Sequence, residues 1–290
     1  VLNPGSKPEG VWRAPQTYPF QLPLMTLYSH LDTERHVNNV AVHSFHLEAR
    51  TRFLMERLER PVWYSDDLLL RPRRTLTQFL GETHYPHPVT AGVVALHADQ
   101  QGAHLRTALF QHDQCVGVQD CLLGAWGGDG WVSLPEPVRA ALAGDQPAAE
   151  WPPELPLDAW AFAGYPQRVP LVSRYADLDP DRVLSELAVA RYAEQGRAGS
   201  LSELRKPGLG LLVARIDLRI DRWDRGMGEV ALATGLSRIG NTSFVLRGGI
   251  TVDGAATATA ESVLVLIDRD SHRPTPVTPY VEAMQAISID

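Results

Sequence analysis

Apolar residues recur at intervals of three and four from Asn38 to about Leu58, where Val42, Phe45, Ala49 and Phe53 form a stripe widened by Leu47, Leu54 and Leu58. That periodicity predicts an amphipathic helix. A weaker stripe of Leu187, Tyr192, Gly196 and Leu201 predicts a second helix, and Pro61 and Pro207 punctuate the two ends. Strand-like segments follow each helix. After the second they span 211–223, 228–240, 242–254 and 256–268, the last two joined by the hairpin signal Asp253–Gly254. After the first they span 76–85, 90–102 and 104–126, with His and Gln interrupting the alternation. Short edge strands are expected before the helices, at Leu24–Leu27 and Leu171–Arg174. A helix followed by an antiparallel meander implies an α+β layer fold, a curved sheet wrapped around a long helix.

The same pattern occurs twice because the chain repeats itself. At a constant offset of 147 residues, nine of the 28 positions in 23–50 and 170–197 are identical, including an ungapped Y-x-x-L-D-x-x-R core. The expected organisation is an N-terminal arm (1–20), a first module (21–126), a surface connection (127–168) with one short helix at Pro137–Ala143, a second module (169–269) and a tail (270–290). Pro274, Pro276 and Pro279 deny the tail ladder donors, so it should start as extended coil. Pairing of two such modules covers the exposed edge and groove that each leaves alone.

Composition narrows the function. The 290 residues are 44% hydrophobic and 21% charged with a formal net charge of −7, a globular and acidic profile that disfavours nucleic acid as a partner. Cys115 and Cys121 lie six apart, too far for a relaxed disulfide within one strand, and read as reduced thiols of a cytoplasmic protein. No apolar run is long enough to span a membrane, and the first twenty residues lack a signal-peptide pattern. His84, His87 and Asp99, or His104, His112 and Asp113, match no metal-ligand spacing, and the glycine clusters lack a phosphate-loop context. Neither a metal nor a cofactor is expected.

Tyr28–Arg50, YSHLDTERHVNNVAVHSFHLEAR, carries the most specific motif. It resembles the signature of acyl-CoA thioesterases of the 4-hydroxybenzoyl-CoA type in the hotdog superfamily, D-x-D-x-x-G-H-V-N-N followed by a helix bearing E-x-R. Asp32 matches the second aspartate, His36-Val37-Asn38-Asn39 the H-V-N-N, and Glu48 with Arg50 the helical pair; His30 and Arg35 replace the first aspartate and the glycine. The second copy matches at Asp177, Asp179 and Arg197, but Val183-Leu184-Ser185-Glu186 replaces H-V-N-N and Gln195 the glutamate. Residues 237–243 resemble the family's I-G-x-x-S strand segment. The resemblance covers about 25–125 and 170–268 and implies a tandem double hotdog acting on acyl thioesters of coenzyme A or acyl carrier protein. It is compatible with further homo-oligomerisation. The absence of G-x-S-x-G argues against a serine thioesterase of the other common fold.

Thioester hydrolysis needs a polarised carbonyl and an activated water or a carboxylate nucleophile. A helix starting at Asn38–Val40 offers unpaired N–H groups and a positive dipole end for an oxyanion. Asp32 is the first candidate for nucleophile or general base; the structural alternative is that it caps the turn. His36 would orient water or substrate or pair with Asp32. One of Asn38 and Asn39 should cap the helix while the other reaches the thioester. Glu48, roughly 15 Å further along the helix, is the alternative base, with a salt bridge as its structural reading. In the paired arrangement that the resemblance implies, the acyl group enters between modules, placing Asp32 opposite Gly240, Asn241, Thr242 and Ser243, and the second copy's own site is degenerate. Hydrolysis competes with two other readings, a hotdog dehydratase or hydratase using His36, and a non-catalytic acyl-ligand binder.

Overall fold

The computed structural model describes residues 8–60, 69–128, 130–144, 146, 162–201, 208–223, 227–271 and 273–289. The helix-ending Pro61 and Pro207 and residues 147–161 of the connection lie outside them. The chain divides into two compact units, Val1–Pro152 and Pro153–Asp290.

In the first unit, strands β1 (Phe20–Leu24), β2 (Leu69–Phe79), β3 (Val89–Ala98), β4 (Ala103–Gln111) and β5 (Gln114–Gly127) form an antiparallel sheet in the order β1-β3-β4-β5-β2. Strand β6 (Gly130–Val132) pairs with β5. Helix α1 (Asn39–Leu58) packs on β1, β3 and β4. Its stripe of Val42, Phe45, Ala49 and Phe53 joins Leu105, Leu109, Cys121 and Leu123 in one core. Burying an aliphatic side chain of this kind is worth about 1.5–3 kcal/mol, which a lone helix of this sequence could not supply.

Three expectations need correction. The first edge strand lies earlier, at Phe20–Leu24, because the chain turns into a single-turn 3-10 helix at Tyr28–His30. The segment 104–126 is two strands, not one. His112 (φ 51°) and Asp113 (φ 63°) both adopt the left-handed conformation of a tight hairpin without a glycine to advertise it. The connection is no mere surface loop either. Helix α2 (Glu136–Ala141) and its flanks bury Leu134, Val138 and Leu142 in the first core.

The second unit repeats the design. Strands β7 (Gln167–Val172), β8 (Leu209–Ile220), β9 (Glu229–Ile239), β10 (Ser243–Val252) and β11 (Ala255–Asp268) pair in the order β7-β9-β10-β11-β8. Helix α3 (Glu186–Ser200) packs on β9, β10 and β7, and β12 (Arg273–Pro274) pairs with β11. The edge strand again sits earlier than expected, at Gln167–Val172. The tail forms a helix, α4 (Val281–Gln285), which buries Met284 and, with Ile287, joins this unit's core.

Structure extends the duplication beyond the motif. An offset of 141 residues carries the His112–Asp113 turn onto Asp253 (φ 48°) and Gly254 (φ 80°), and the cross-strand pair Arg106–Asp120 onto Arg247–Glu261. Each unit also lays an aromatic on the face of its sheet turned away from the helix. A Cβ added at Gly92 would stand 2.6 Å from the Tyr18 side chain, and one at Gly249 would stand 2.3 Å from the Phe162 ring. No helix among the described residues is long and apolar enough to cross a membrane.

Candidate functional site

The H-V-N-N segment ends a tight loop, residues 30–38, that the backbone closes on itself. Leu31 and Val37 form an antiparallel bridge, Asp32 N–H donates to His36 O at 3.0 Å, and Asn38 N–H donates to His30 O at 2.8 Å. Val37 N–H donates to Thr83 O at 2.8 Å, tying the loop to the β2–β3 connection. Arg35, standing where the family motif has glycine, keeps a left-handed φ of 69°. The second unit builds the same loop: Asp179 N–H reaches Val183 O at 2.9 Å, Ser185 N–H reaches Asp177 O at 2.8 Å, and Arg182 has φ 62°.

Side chains separate the two loops. Asp32 Oδ1 accepts the Glu34 N–H at 2.9 Å, and Asp179 Oδ1 accepts those of Asp181 at 2.9 Å and Val183 at 3.3 Å. Turn capping is thus common to both. Asp32 also meets an imidazole, His36 Nδ1 at 3.3 Å from Oδ2, with the two side chains 24% and 23% exposed. The equivalent of His36 is the buried Val183. Burial pushes the Asp32 carboxyl up, but the His36 hydrogen bond and charge and the amides of Glu34 and His36 outweigh it and hold the group below its ordinary value. His36 is raised, first by its hydrogen bond to Asp32, against burial and with help from the charges of Asp32, Glu82 and Glu34.

Helix α1 starts beside this pair. Asn38 is the N-cap, its Oδ1 accepting Val40 N–H at 2.7 Å, and Val42 N–H to Asn38 O at 2.9 Å closes the first helical turn. Asn39 and Ala41 belong to that turn, so their N–H groups have no helical acceptor and carry the positive end of the dipole. An oxyanion is the natural ligand of such a terminus.

The second unit has put its equivalent positions to structural use. Asp177, at the place of His30, is buried and takes the Arg174 N–H at 2.8 Å, the Arg174 guanidinium at 3.1 and 3.2 Å, and the Tyr192 hydroxyl at 3.0 Å. In the first unit His30 Nδ1 accepts the equivalent Leu27 N–H at 3.2 Å, its ring packs edge-on against Phe45 with centroids 5.3 Å apart, and burial lowers its pKa.

Other expected site residues have partners within their own unit. Glu48 is ion-paired to Arg52 at 2.6 Å on a side of α1 where its side chain is 45% exposed. Gly240–Ser243 is the β9–β10 turn: Gly240 N–H donates to Ser243 O at 2.7 Å, Asn241 O accepts Val277 N–H, and Thr242 O accepts Leu266 N–H. Its backbone anchors the tail and β11. Among the described residues no group of three or more His, Cys, Asp or Glu side chains could hold a metal ion.

Sequence reasoning missed a buried polar cluster beneath α1. Gln119 Oε1 accepts Arg50 Nη1 at 2.9 Å, and Gln119 Nε2 lies 2.9 Å from Thr77 Oγ1 and 3.2 Å from His43 Nδ1. His46 Nδ1 meets Thr107 Oγ1 at 2.6 Å. The available signal was the 4-3-4 spacing of Asn39, His43, His46 and Arg50, a polar stripe beside the apolar one.

No family model matches the chain, and no curated protein sequence matches it. Solved structures do. A protein from Lactobacillus plantarum assigned as an oleoyl thioesterase superposes with a TM-score of 0.70 at 11% identity, over 85% of this chain and 95% of that one. The 12:0-ACP thioesterase of Umbellularia californica gives 0.66 at 12% identity, over 89% and 99%. An acyl-ACP thioesterase of Bacteroides thetaiotaomicron gives 0.65 at 11%, over 84% and 97%. At such identities the likeness is one of fold, and it spans both units. Two hotdog modules in succession, each a curved antiparallel sheet around one long helix, are therefore the fold of this chain.

Proposed function

We propose that this chain hydrolyses acyl thioesters, of coenzyme A or of acyl carrier protein, at the loop–helix junction of the first unit. The observation that carries the reading is the Asp32–His36 pair at the start of α1, present in one copy of a duplicated loop and missing from the other. The thioesterase assignments of the three structural neighbours support the same chemistry. Asp32, held ionised, fixes the His36 ring through Nδ1 and stabilises the imidazolium. His36 Nε2 takes a proton from water as its oxygen attacks the thioester carbonyl. The amides of the first α1 turn receive the oxyanion. When the C–S bond breaks, the proton passes from His36 to the departing sulfur, giving a carboxylic acid and a free thiol.

The test is thiol release from purified protein across short, long and aromatic acyl-CoAs and acyl carrier protein conjugates. Asp32→Asn keeps an oxygen to accept the Glu34 N–H, so it spares the turn while removing the charge. It should lower kcat by about 10²–10⁴-fold, as should His36→Gln. Asp179→Asn, the same change in the other loop, should stay within about twofold. Equal effects of the two aspartate substitutions, or acyl-ligand retention without turnover, would sink the proposal.

A further inference from the structure

Gln119 is fully buried on the helix-facing side of β5. Its orientation is unambiguous, because a guanidinium only donates: Arg50 must face the amide oxygen, and the NH₂ must face Thr77 and His43. His43 Nδ1 is then an acceptor, and its ring hydrogen sits on Nε2. His43 and Arg50 are seven residues apart on α1, so a single side chain grips the helix at two points two turns apart. Thr77 adds β2 to the grip, and the His46–Thr107 contact adds β4. Asn39, at the helix start, falls on the same stripe within about 60°.

The second unit lacks this cluster. Ala190 and Ala193 replace His43 and His46 at the motif offset, and Arg197 donates from Nη1 to Ser262 Oγ at 3.2 Å and pairs with Glu194 at 3.7 Å. Seating a helix on a sheet therefore does not require it, since α3 is seated without it. Burying amide, imidazole and guanidinium groups carries a desolvation cost that an apolar core avoids, and what directional hydrogen bonds between helix and sheet provide in return is a unique register. The unit that carries the Asp32–His36 pair is the one that keeps such a network.

We infer that Gln119 is a positioning residue, which sets the register of α1 through His43, Arg50 and Thr77 so that the first-turn amides stand correctly against the Asp32–His36 loop. The inference rests on the proposed hydrolysis for its kinetic consequence but not for its geometric one. Reactive groups are held productively only when the surrounding shell fixes them within fractions of an ångström.

Two measurements on the full chain decide it. Gln119→Leu, and the gentler, nearly isosteric Thr77→Val, should lower kcat for thiol release about tenfold with KM within twofold. Both should also speed amide hydrogen exchange about tenfold at Val40 and Val42, whose N–H groups are bonded to Asn38, while Ala188 and Val189, bonded to Ser185 in the second unit, stay unchanged. Ser262→Ala should leave kcat at the wild-type value. A kcat within twofold of wild type in the folded Thr77→Val protein, or unaltered exchange at Val40 and Val42, overturns the inference. If wild-type protein releases no thiol from any acyl thioester, the proposed function fails, and the exchange measurement alone decides the positioning role.

Discussion

Replacing Asp120 by asparagine removes one negative charge from a buried cluster and preserves its shape. Asp120 Oδ1 lies 2.7 Å from His104 Nε2 and 2.9 Å from Arg106 Nε, and Oδ2 lies 3.2 Å from Arg106 Nη2. The Asp120 side chain is 7% exposed, and Arg106 is further enclosed by Trp12, whose ring centroid is 4.4 Å from the guanidinium carbon. Asparagine leaves Arg106 as a poorly hydrated cation without its counter-ion. Breaking such a pair costs about 3–5 kcal/mol, and in a unit of this size that lowers Tm by roughly 6–20 °C. The duplication supplies the control. Glu261 occupies the equivalent register and binds Arg215 Nη2 at 2.7 Å and Arg247 Nη2 at 3.2 Å, yet it is 30% exposed and Arg247 is 50% exposed. Water can reach Glu261 and replace Arg247, although Arg215 is only 14% exposed, so Glu261→Gln should cost less than Asp120→Asn. Burial raises the Asp120 pKa, but the His104 bond and the Arg106 charge win and hold it below its ordinary value. Its stabilising contribution is thus present above the unfolded carboxyl pKa near 4 and fades as pH falls below that. Thermal unfolding followed by circular dichroism, with Trp fluorescence alongside, should show a large gap between wild type and Asp120→Asn at pH 7 that narrows towards pH 3. Equal losses from Asp120→Asn and Glu261→Gln, or a gap that ignores pH, would refute the argument from burial.

Further outcomes follow from the same geometry. Because His36 must be unprotonated to accept a proton and Asp32 raises its pKa, kcat/KM should climb through a pKa above 6.5, and Asp32→Asn should move that limb to lower pH in a stopped-time thiol assay. Arg35 and Arg182 hold left-handed φ values that L-residues adopt at a cost, so Arg35→Gly should raise stability by about 0.5–1 kcal/mol in urea unfolding. Gly92→Ala drives a methyl into the Tyr18 side chain and should destabilise by about 1–3 kcal/mol in the same assay. Burial pushes the Cys115 thiol up to about 11, so iodoacetamide at pH 8 should modify it roughly a hundredfold more slowly than an unhindered model thiol.

Helix α1 was legible to within a residue, because its apolar stripe and the capping Asn38 are local signals. The second-unit meander was legible for the same reason, with Asp253–Gly254 marking a turn. The His112–Asp113 turn was not, since both residues take left-handed conformations more often signalled by Gly or Asn. Burial of Leu134, Val138 and Met284 depends on what folds over them, which composition does not reveal. At the site, the sequence motif brought Asp32, His36 and Asn38 to notice, and the loop closure joins them. Glu48 shared the motif, but its place on the helix hands it to Arg52. Gln119 had no motif at all, and only the sheet register brings it beneath His43 and Arg50.

The end of the chain has a practical consequence. Strand β7 pairs with β9 only as far as Thr234, and the next stretch of that margin is met by the tail, with Leu236 N–H to Ile287 O at 2.7 Å and Ile289 N–H to Leu236 O at 2.8 Å. Trimming these last residues, or fusing a purification handle tightly against them, would bare peptide groups ready to recruit a strand from a neighbouring molecule. Preparations shortened there should accumulate aggregates on storage, so handles belong at the opposite terminus or behind a generous spacer.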